Sequence, residues 1–234
     1  LSGPVLSFNV DTGSPDLAVS WDTTLKYSTA WRVRGVNASV APEGLAGLTP
    51  QVNTNDGDRN FGRGLISNRL DILTELGVRY KRDSGFRVSA AGWYDDVYQH
   101  SNDRSLDDAP GLNQSGPYDR FNKHTRIAQG RNAEVLDAFV YTRQSVADMS
   151  LNLKAGRFTQ LYGESLFFGN NGIAGAQTPL DLARALSVPN SQFKEVARPV
   201  GQISAQLQIT PDVIVGAYIQ PEWRKSRLPA AGSY

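Results

Sequence analysis

Few residues in this chain could do chemistry, and spacing limits what each could do. There are two histidines, His100 and His124, and no cysteine, which excludes disulfides, thiolate metal sites and cysteine nucleophiles. His100-Ser101-Asn102 sets a base beside a nucleophile. In a strand, adjacent side chains point to opposite faces, so the serine would lack its base; a polar loop entrance is the competing reading, and the spacing favours it. Gly163-Glu164-Ser165-Leu166-Phe167 lacks the second glycine of a nucleophile elbow and reads as a structural turn. Asn53, Asn55, Asp56 and Asp58 gather oxygen ligands around Gly57 as calcium loops do, but no properly spaced bidentate Glu follows. An Asx-type turn explains the same residues. Nothing pairs the two histidines as transition-metal ligands. The expectation is therefore no catalytic residue, no metal and no cofactor.

A larger set of charges is organised by alternation. Leu17, Val19, Trp21, Thr23, Leu25, Tyr27, Thr29, Trp31 and Val33 fall on one face of an extended chain, and Ser20, Asp22, Thr24, Lys26, Ser28 and Arg32 on the other. A helix would mix these sets, whereas a strand separates them. At roughly 3.3 Å per residue such a strand spans about 50 Å, which suits a tilted strand crossing a bilayer. Further strands are expected at about 69–81, 86–95, 134–143, 149–157, 201–210 and from 213. Leu136, Ala138, Val140 and Thr142 are expected to share the apolar face of the fourth. Asp83-Ser84-Gly85 is expected to turn the second strand into the third. The short run Val5 to Val10, broken by Gly13 and Pro15, is an alternative eighth strand, but seven is the preferred count.

The connections are alternately long (34–68, 96–133, 158–200) and short (82–85, 144–148, 211–212). A soluble β-sandwich has no reason to sort its loops this way, whereas outer-membrane barrels combine short periplasmic turns with long external loops. The fold class expected is all-β: an antiparallel transmembrane β-barrel with short periplasmic turns, long extracellular loops and one short loop helix. An odd strand count does not close a single-chain barrel, so residues 1–234 are read as one β-barrel domain, the N-terminal portion of a larger barrel, incomplete at the C-terminus. No run of eighteen apolar residues offers a transmembrane helix. Residues 1–16 lack the pattern of a signal peptide, so an exported protein would be represented by its mature sequence. A net charge of +1 without a basic stripe argues against nucleic acid.

In a barrel, charges on the polar strand faces would be costly against lipid and natural in a wet lumen. The lumen-facing candidates are Asp22, Lys26, Asp71, Glu75, Arg79, Arg87, Asp137, Arg143 and Lys154. Their signs are mixed, unlike the single-sign rings of a strongly selective ion pore. Bracing the barrel and lining a transport path are both open readings. Trp21, Tyr27, Trp31, Tyr80 and Tyr94 on the apolar faces suit interfacial girdles. In the third long loop, Thr178 can cap a helix whose first residue is Pro179, with Asp181 in its first turn and Pro189 as its stop. Leu182, Ala185 and Leu186 lie at helical spacing, and Gly169, Gly172 and Gly175 allow a sharp return. Pro179, Asp181, Leu182, Arg184 and Leu186 are the gating-loop candidates, with the leucine stripe expected to be buried at the barrel mouth.

Local signatures recur in a definite order: Asn55-Asp56-Gly57-Asp58-Arg59-Asn60-Phe61, Asn68-Arg69-Leu70-Asp71-Ile72, Gly92-Trp93-Tyr94-Asp95, Leu136-Asp137-Ala138-Phe139, Gly156-Arg157-Phe158, Gly163-Glu164-Ser165, then Pro179-Leu180-Asp181 to Ser187-Val188-Pro189. This order resembles a proteobacterial outer-membrane β-barrel family catalogued as a domain of unknown function, number 1302. The resemblance covers the chain from about residue 17, and members are typically longer. It implies the outer membrane of a Gram-negative bacterium, with outer-membrane lipid as surroundings. By association with a periplasmic lipid-binding-like partner and an inner-membrane exporter of the resistance-nodulation-division type, it implies passage or delivery of hydrophobic or amphipathic molecules. A structural or surface-interaction barrel is the first alternative and an outer-membrane lipid hydrolase the second. The resemblance supplies no catalytic residue.

Overall fold

The computed structural model describes residues 5–35, 56–104, 119–160, 178–189, 191 and 193–234. Eight strands form one antiparallel sheet, each paired with its neighbours in sequence: β1 (Val5–Val10), β2 (Leu17–Arg32), β3 (Gly64–Tyr80), β4 (Ser84–Asp95), β5 (Arg131–Val146), β6 (Met149–Phe158), β7 (Val200–Thr210) and β8 (Val213–Ile219). The sheet is open, with β1 and β8 as its edges. Connections 11–16, 81–83, 147–148 and 211–212 lie at one end, and at the other the chain leaves the sheet after Arg32, Asp95 and Phe158 and re-enters it at Gly64, Arg131 and Val200. Antiparallel neighbours need no crossover, so two-to-six-residue turns suffice at the first end. Among the described residues no helix is long and apolar enough to cross a membrane.

Three local features depart from the alternation reading. The strand count is eight, because Val5–Val10 pairs with β2 from Val5 opposite Thr24 to Val10 opposite Val19. Gly13, at φ 65°, belongs to the turn that returns the chain, where its amide donates to Asp11 Oδ1 at 2.9 Å. The breaker residues therefore mark a hairpin rather than the end of strand structure. The β3–β4 turn lies at 81–83, with Lys81 and Arg82 both at positive φ, while Ser84 and Gly85 already pair with Tyr80 and Arg79. The third departure is a bulge in β5, where Leu136 and Asp137 stand against Ser89 of β4. The Asp137 amide, displaced from the ladder, donates to Ser89 Oγ at 3.0 Å. A bulge adds one residue and so exchanges the faces beyond it. Val135 (49% exposed) and Val140 (58%) share the outer face although their numbers differ in parity. Leu136, expected on that face, is 6% exposed and packs inside with Leu73 and Ala91.

The two faces of the sheet invert the usual arrangement. One carries Trp21, Tyr27, Leu70, Ile72, Phe86, Val88, Tyr94, Val140, Leu153 and Ile203, all exposed. The opposite face buries Arg69, Asp71, Ser89, Asp95, Gln202 and Ser204. In β7 the alternation is plain: Gln202 is 4% exposed, Ile203 57% and Ser204 6%. Several polar atoms on the exposed apolar face are paired across strands. Trp21 Nε1 donates to Thr74 Oγ1 at 2.7 Å, Tyr27 Oη to Asn68 Oδ1 at 2.8 Å, and the Ser84 and Thr142 hydroxyls meet at 2.8 Å.

Candidate functional site on the polar face

The long-loop half of the polar face is covered by the segment around 178–199 and by residues 224–234. The segment contains two short helices, α1 (Leu182–Ser187) and α2 (Phe193–Val196). Six residues cannot sustain a helix alone, and α1 is held by its surroundings. Asp181 is its N-cap, accepting from the Arg184 amide at 3.0 Å. The helix therefore starts at Leu182, not Pro179, and Asp181 rather than Thr178 caps it. The reason lies in the backbone upstream. Pro179 and Leu180 are extended, with the Arg198 amide donating to Pro179 O and the Arg227 amide to Leu180 O, each at 2.8 Å.

The expected leucine stripe is not what anchors α1. Leu186 is 76% exposed and Ala185 is also exposed, while Ala183 and Arg184 are buried. Arg184 points into the sheet, where its Nη2 donates to Asp71 Oδ1 at 3.0 Å. Asp71 also accepts a bidentate pair from Arg69, Nε to Oδ2 at 2.9 Å and Nη2 to Oδ1 at 3.0 Å. Arg69 Nη1 donates to Gln129 O at 3.0 Å. Arg227 continues the network, with Nη1 2.6 Å from Asp181 Oδ2 and Nη2 2.9 Å from Glu134 Oε2. Burial opposes the charge on Arg227, but Glu134 and Asp181 outweigh it and raise its pKa. Trp93 stands at the centre: the guanidinium carbons of Arg69, Arg184 and Arg227 lie 5.5, 5.6 and 5.9 Å from its ring centroid, and its Nε1 donates to Ala128 O at 3.1 Å. The contacts are those of cation–π attraction reinforced by ion pairs.

A second set of pairs fastens α2. Lys194 Nζ lies 2.9 Å from Glu75 Oε2, and Glu75 also binds Arg87. Lys26 lies 3.6 Å from Glu195 Oε2 and donates to Pro189 O at 3.2 Å. Above these, Phe61, Tyr98, Phe121 and Tyr234 form an aromatic cluster with centroid separations of 4.8–5.6 Å. Asn60 Nδ2 donates to Gly232 O at 3.0 Å, and Asn122 Nδ2 and Thr125 Oγ1 donate to Ala231 O at 3.0 and 2.6 Å. Burial pushes the Tyr98 phenol up to about 12.

The short-turn half is different. Arg79, Arg143 and Lys154 line a cavity of about 710 Å³. Lys154 Nζ sits 3.8 and 4.1 Å from the ring centroids of Phe139 and Phe158. Asp137 is half-buried on β5, and Asp22 stands beside Glu75 in the β2–β3 register. Sequence reasoning singled out Asp71, Glu75, Lys26, Asp181 and Arg184 but passed over Arg69, Trp93, Glu134, Lys194, Glu195 and Arg227. Arg69 and Asp71 at i and i+2 on one strand carry a usable signal. Arg227 carries none, since its partners are distant in sequence.

The remaining candidates are dispersed. His100 is exposed and its Nδ1 lies 2.9 Å from Asp96 O, while Ser101 forms an isolated bridge to Arg120. Among the described residues no hydrogen bond joins His100 to Ser101. Asp58 Oδ1 accepts from Arg32 Nη2 at 2.5 Å, whereas Asn53, Asn55, the Asp56 side chain and the Gly163–Phe167 and Gly169–Gly175 stretches lie outside the described residues. Among the described residues no three acidic or histidine side chains cluster as metal ligands.

No curated protein matches the chain, and no solved structure does. One family, described as protein of unknown function (DUF1302), matches residues 1–234. The chain belongs to the DUF1302 family.

Proposed function

We propose that this chain forms the wall of an outer-membrane β-barrel that passes or delivers a hydrophobic or amphipathic molecule, without covalent catalysis. The carrying observation is the inverted polarity of the sheet: exposed Tyr27, Ile72, Val140 and Ile203 on one face, buried Arg69, Asp71 and Gln202 on the other. In water an apolar face of this extent would drive association, whereas lipid is its natural solvent. The hydrogen bonds of Trp21 and Tyr27 support the same reading, because polar groups in lipid must be satisfied internally. Aromatic spacing gives the height. Tyr80 pairs with Leu17, and Tyr94 lies in register with Tyr27 through Leu70. Ten residues of β2 at about 3.4 Å, tilted by about 45°, rise roughly 24 Å, close to the apolar band of an outer-membrane barrel. Closure then requires strands beyond β1 and β8, from the same polypeptide or another, because a spanning sheet tolerates no open edge.

In this reading the segment 178–199 is a gate in the lumen, fastened by Arg184 to Asp71 and by Lys194 to Glu75. The surroundings are outer-membrane lipid, and the partners are envelope transport proteins that load or receive the molecule. The test is flux of an amphipathic fluorophore through liposomes holding the full-length protein. Arg184→Ala should raise flux above the parent at unchanged far-ultraviolet circular dichroism. Flux equal to protein-free liposomes for both would remove the transport reading and leave a structural barrel.

A further inference from the structure

Apart from the gate and its ion pairs, the short-turn half of the polar face holds a second constellation. Its cavity of about 710 Å³ is lined by four cations, Arg79, Arg82, Arg143 and Lys154, and one carboxylate, Asp83. The arrangement is built rather than incidental. The Arg143 amide donates to Asp83 O at 2.6 Å, tying the 81–83 turn to β5, and the Arg143 Nε donates to Asn152 Oδ1 at 2.8 Å. Lys154 is held between the rings of Phe139 and Phe158. Among the described residues Arg79 and Arg82 make no ion pair. A neighbouring cavity of about 640 Å³ shares Arg79 and Tyr141 with the first, and Ala18, Gly77 and Phe139 also line it. Cationic and apolar surfaces therefore meet along one wall, at Tyr141.

We propose that these two cavities bind a single-chain anionic amphiphile, its acid group taken by Arg79, Arg82 and Arg143 and its alkyl chain laid along Tyr141 and Phe139. Guanidinium groups present paired donors that match an oxyanion, and across the two cavities five cations, with Arg87 added, outnumber two carboxylates, Asp83 and Asp11. The rings of Tyr141 and Phe139 give the alkyl chain an apolar surface beside the cations. This site deepens the transport reading by naming its substrate class, and it lies at the short-turn end, the side on which the periplasmic turns are placed in that reading.

The test is equilibrium binding of myristate and of myristyl alcohol to the full-length protein in phosphatidylcholine nanodiscs. Myristate should bind about tenfold more tightly than the alcohol, and the pair Arg79→Gln and Arg143→Gln should abolish that difference, as expected for losing charge-assisted hydrogen bonds. Arg79→Lys with Arg143→Lys should keep most of the preference, which separates lost charge from lost fold. Equal affinity for acid and alcohol, or an undiminished preference in the glutamine variant, overturns the site. Binding without flux removes the transport reading and leaves the site; flux with charge-blind binding does the reverse.

Discussion

The two halves of one polar face are built on the same strands yet treat charge differently. In the long-loop half, Asp71, 3% exposed, is shared by Arg69 and Arg184, and Arg227 is shared by Asp181 and Glu134. Near the short turns, Arg79 and Arg82 line open cavities without ion pairs among the described residues. The difference teaches that charge on this face has two uses. Where a covering segment supplies partners, ion pairs fasten it; where no described residue does, the charges remain available to a ligand. A buried pair broken on one side leaves an uncompensated charge, whereas a solvated charge is removed at little expense.

Substitutions in the two halves should therefore differ sharply. Asp71→Ala strands two buried guanidinium groups and should lower stability by about 5 kcal/mol, while Arg79→Ala should change it by less than about 0.5 kcal/mol. Denaturant unfolding in detergent checks both; equal effects would erase the distinction between the halves. Arg184→Ala removes one donor but leaves the Arg69 pair, so a loss of about 3 kcal/mol is expected, with faster proteolysis within 178–199. Unchanged proteolysis would mean that the segment is held elsewhere.

The aromatic cluster over the long-loop half should respond to alkali. Burial raises the Tyr98 phenol to about 12, so the folded state keeps its proton longer than the unfolded one. Its contribution is complete below the unfolded value near 10 and is lost as pH rises toward 12, on the order of 2 kcal/mol. Tyr98→Phe should remove that pH dependence, and phenolate absorbance followed alongside unfolding measures it. The smallest effect is expected from Leu186→Ser, within about 0.5 kcal/mol and without added flux, because the leucine is exposed. A marked rise in flux would restore the apolar-stripe gate.

Alternation made the strands and the short turns legible in the sequence, since burial of one face and exposure of the other impose a period of two. It could not reveal the β5 bulge. Leu136 follows Val135, and a parity count places both wrongly once an extra residue intervenes. Nor could it identify what fastens the helix at 182–187. Leu182, Ala185 and Leu186 have the right spacing for an apolar stripe, but in a cleft of buried charges the arginine beside them is the better-matched side chain. The Asp181 cap was readable only as an acidic first-turn residue, because the extended Pro179–Leu180 is dictated by pairing with Ala197 and Arg227. Arg227 and Glu134 meet across 93 residues, and no local pattern anticipates that contact.

The inverted sheet is tested most directly by spin labels placed one at a time at Ile72, Val140, Leu153 and Val215, and at Arg79 and Gln206, with the full-length protein in bilayers. The first four should collide with oxygen dissolved in lipid and be shielded from an aqueous nickel chelate, and the last two should show the opposite preference. Aqueous accessibility at the first four, or oxygen preference at Arg79 and Gln206, would contradict an apolar face in lipid and a polar face in a wet lumen.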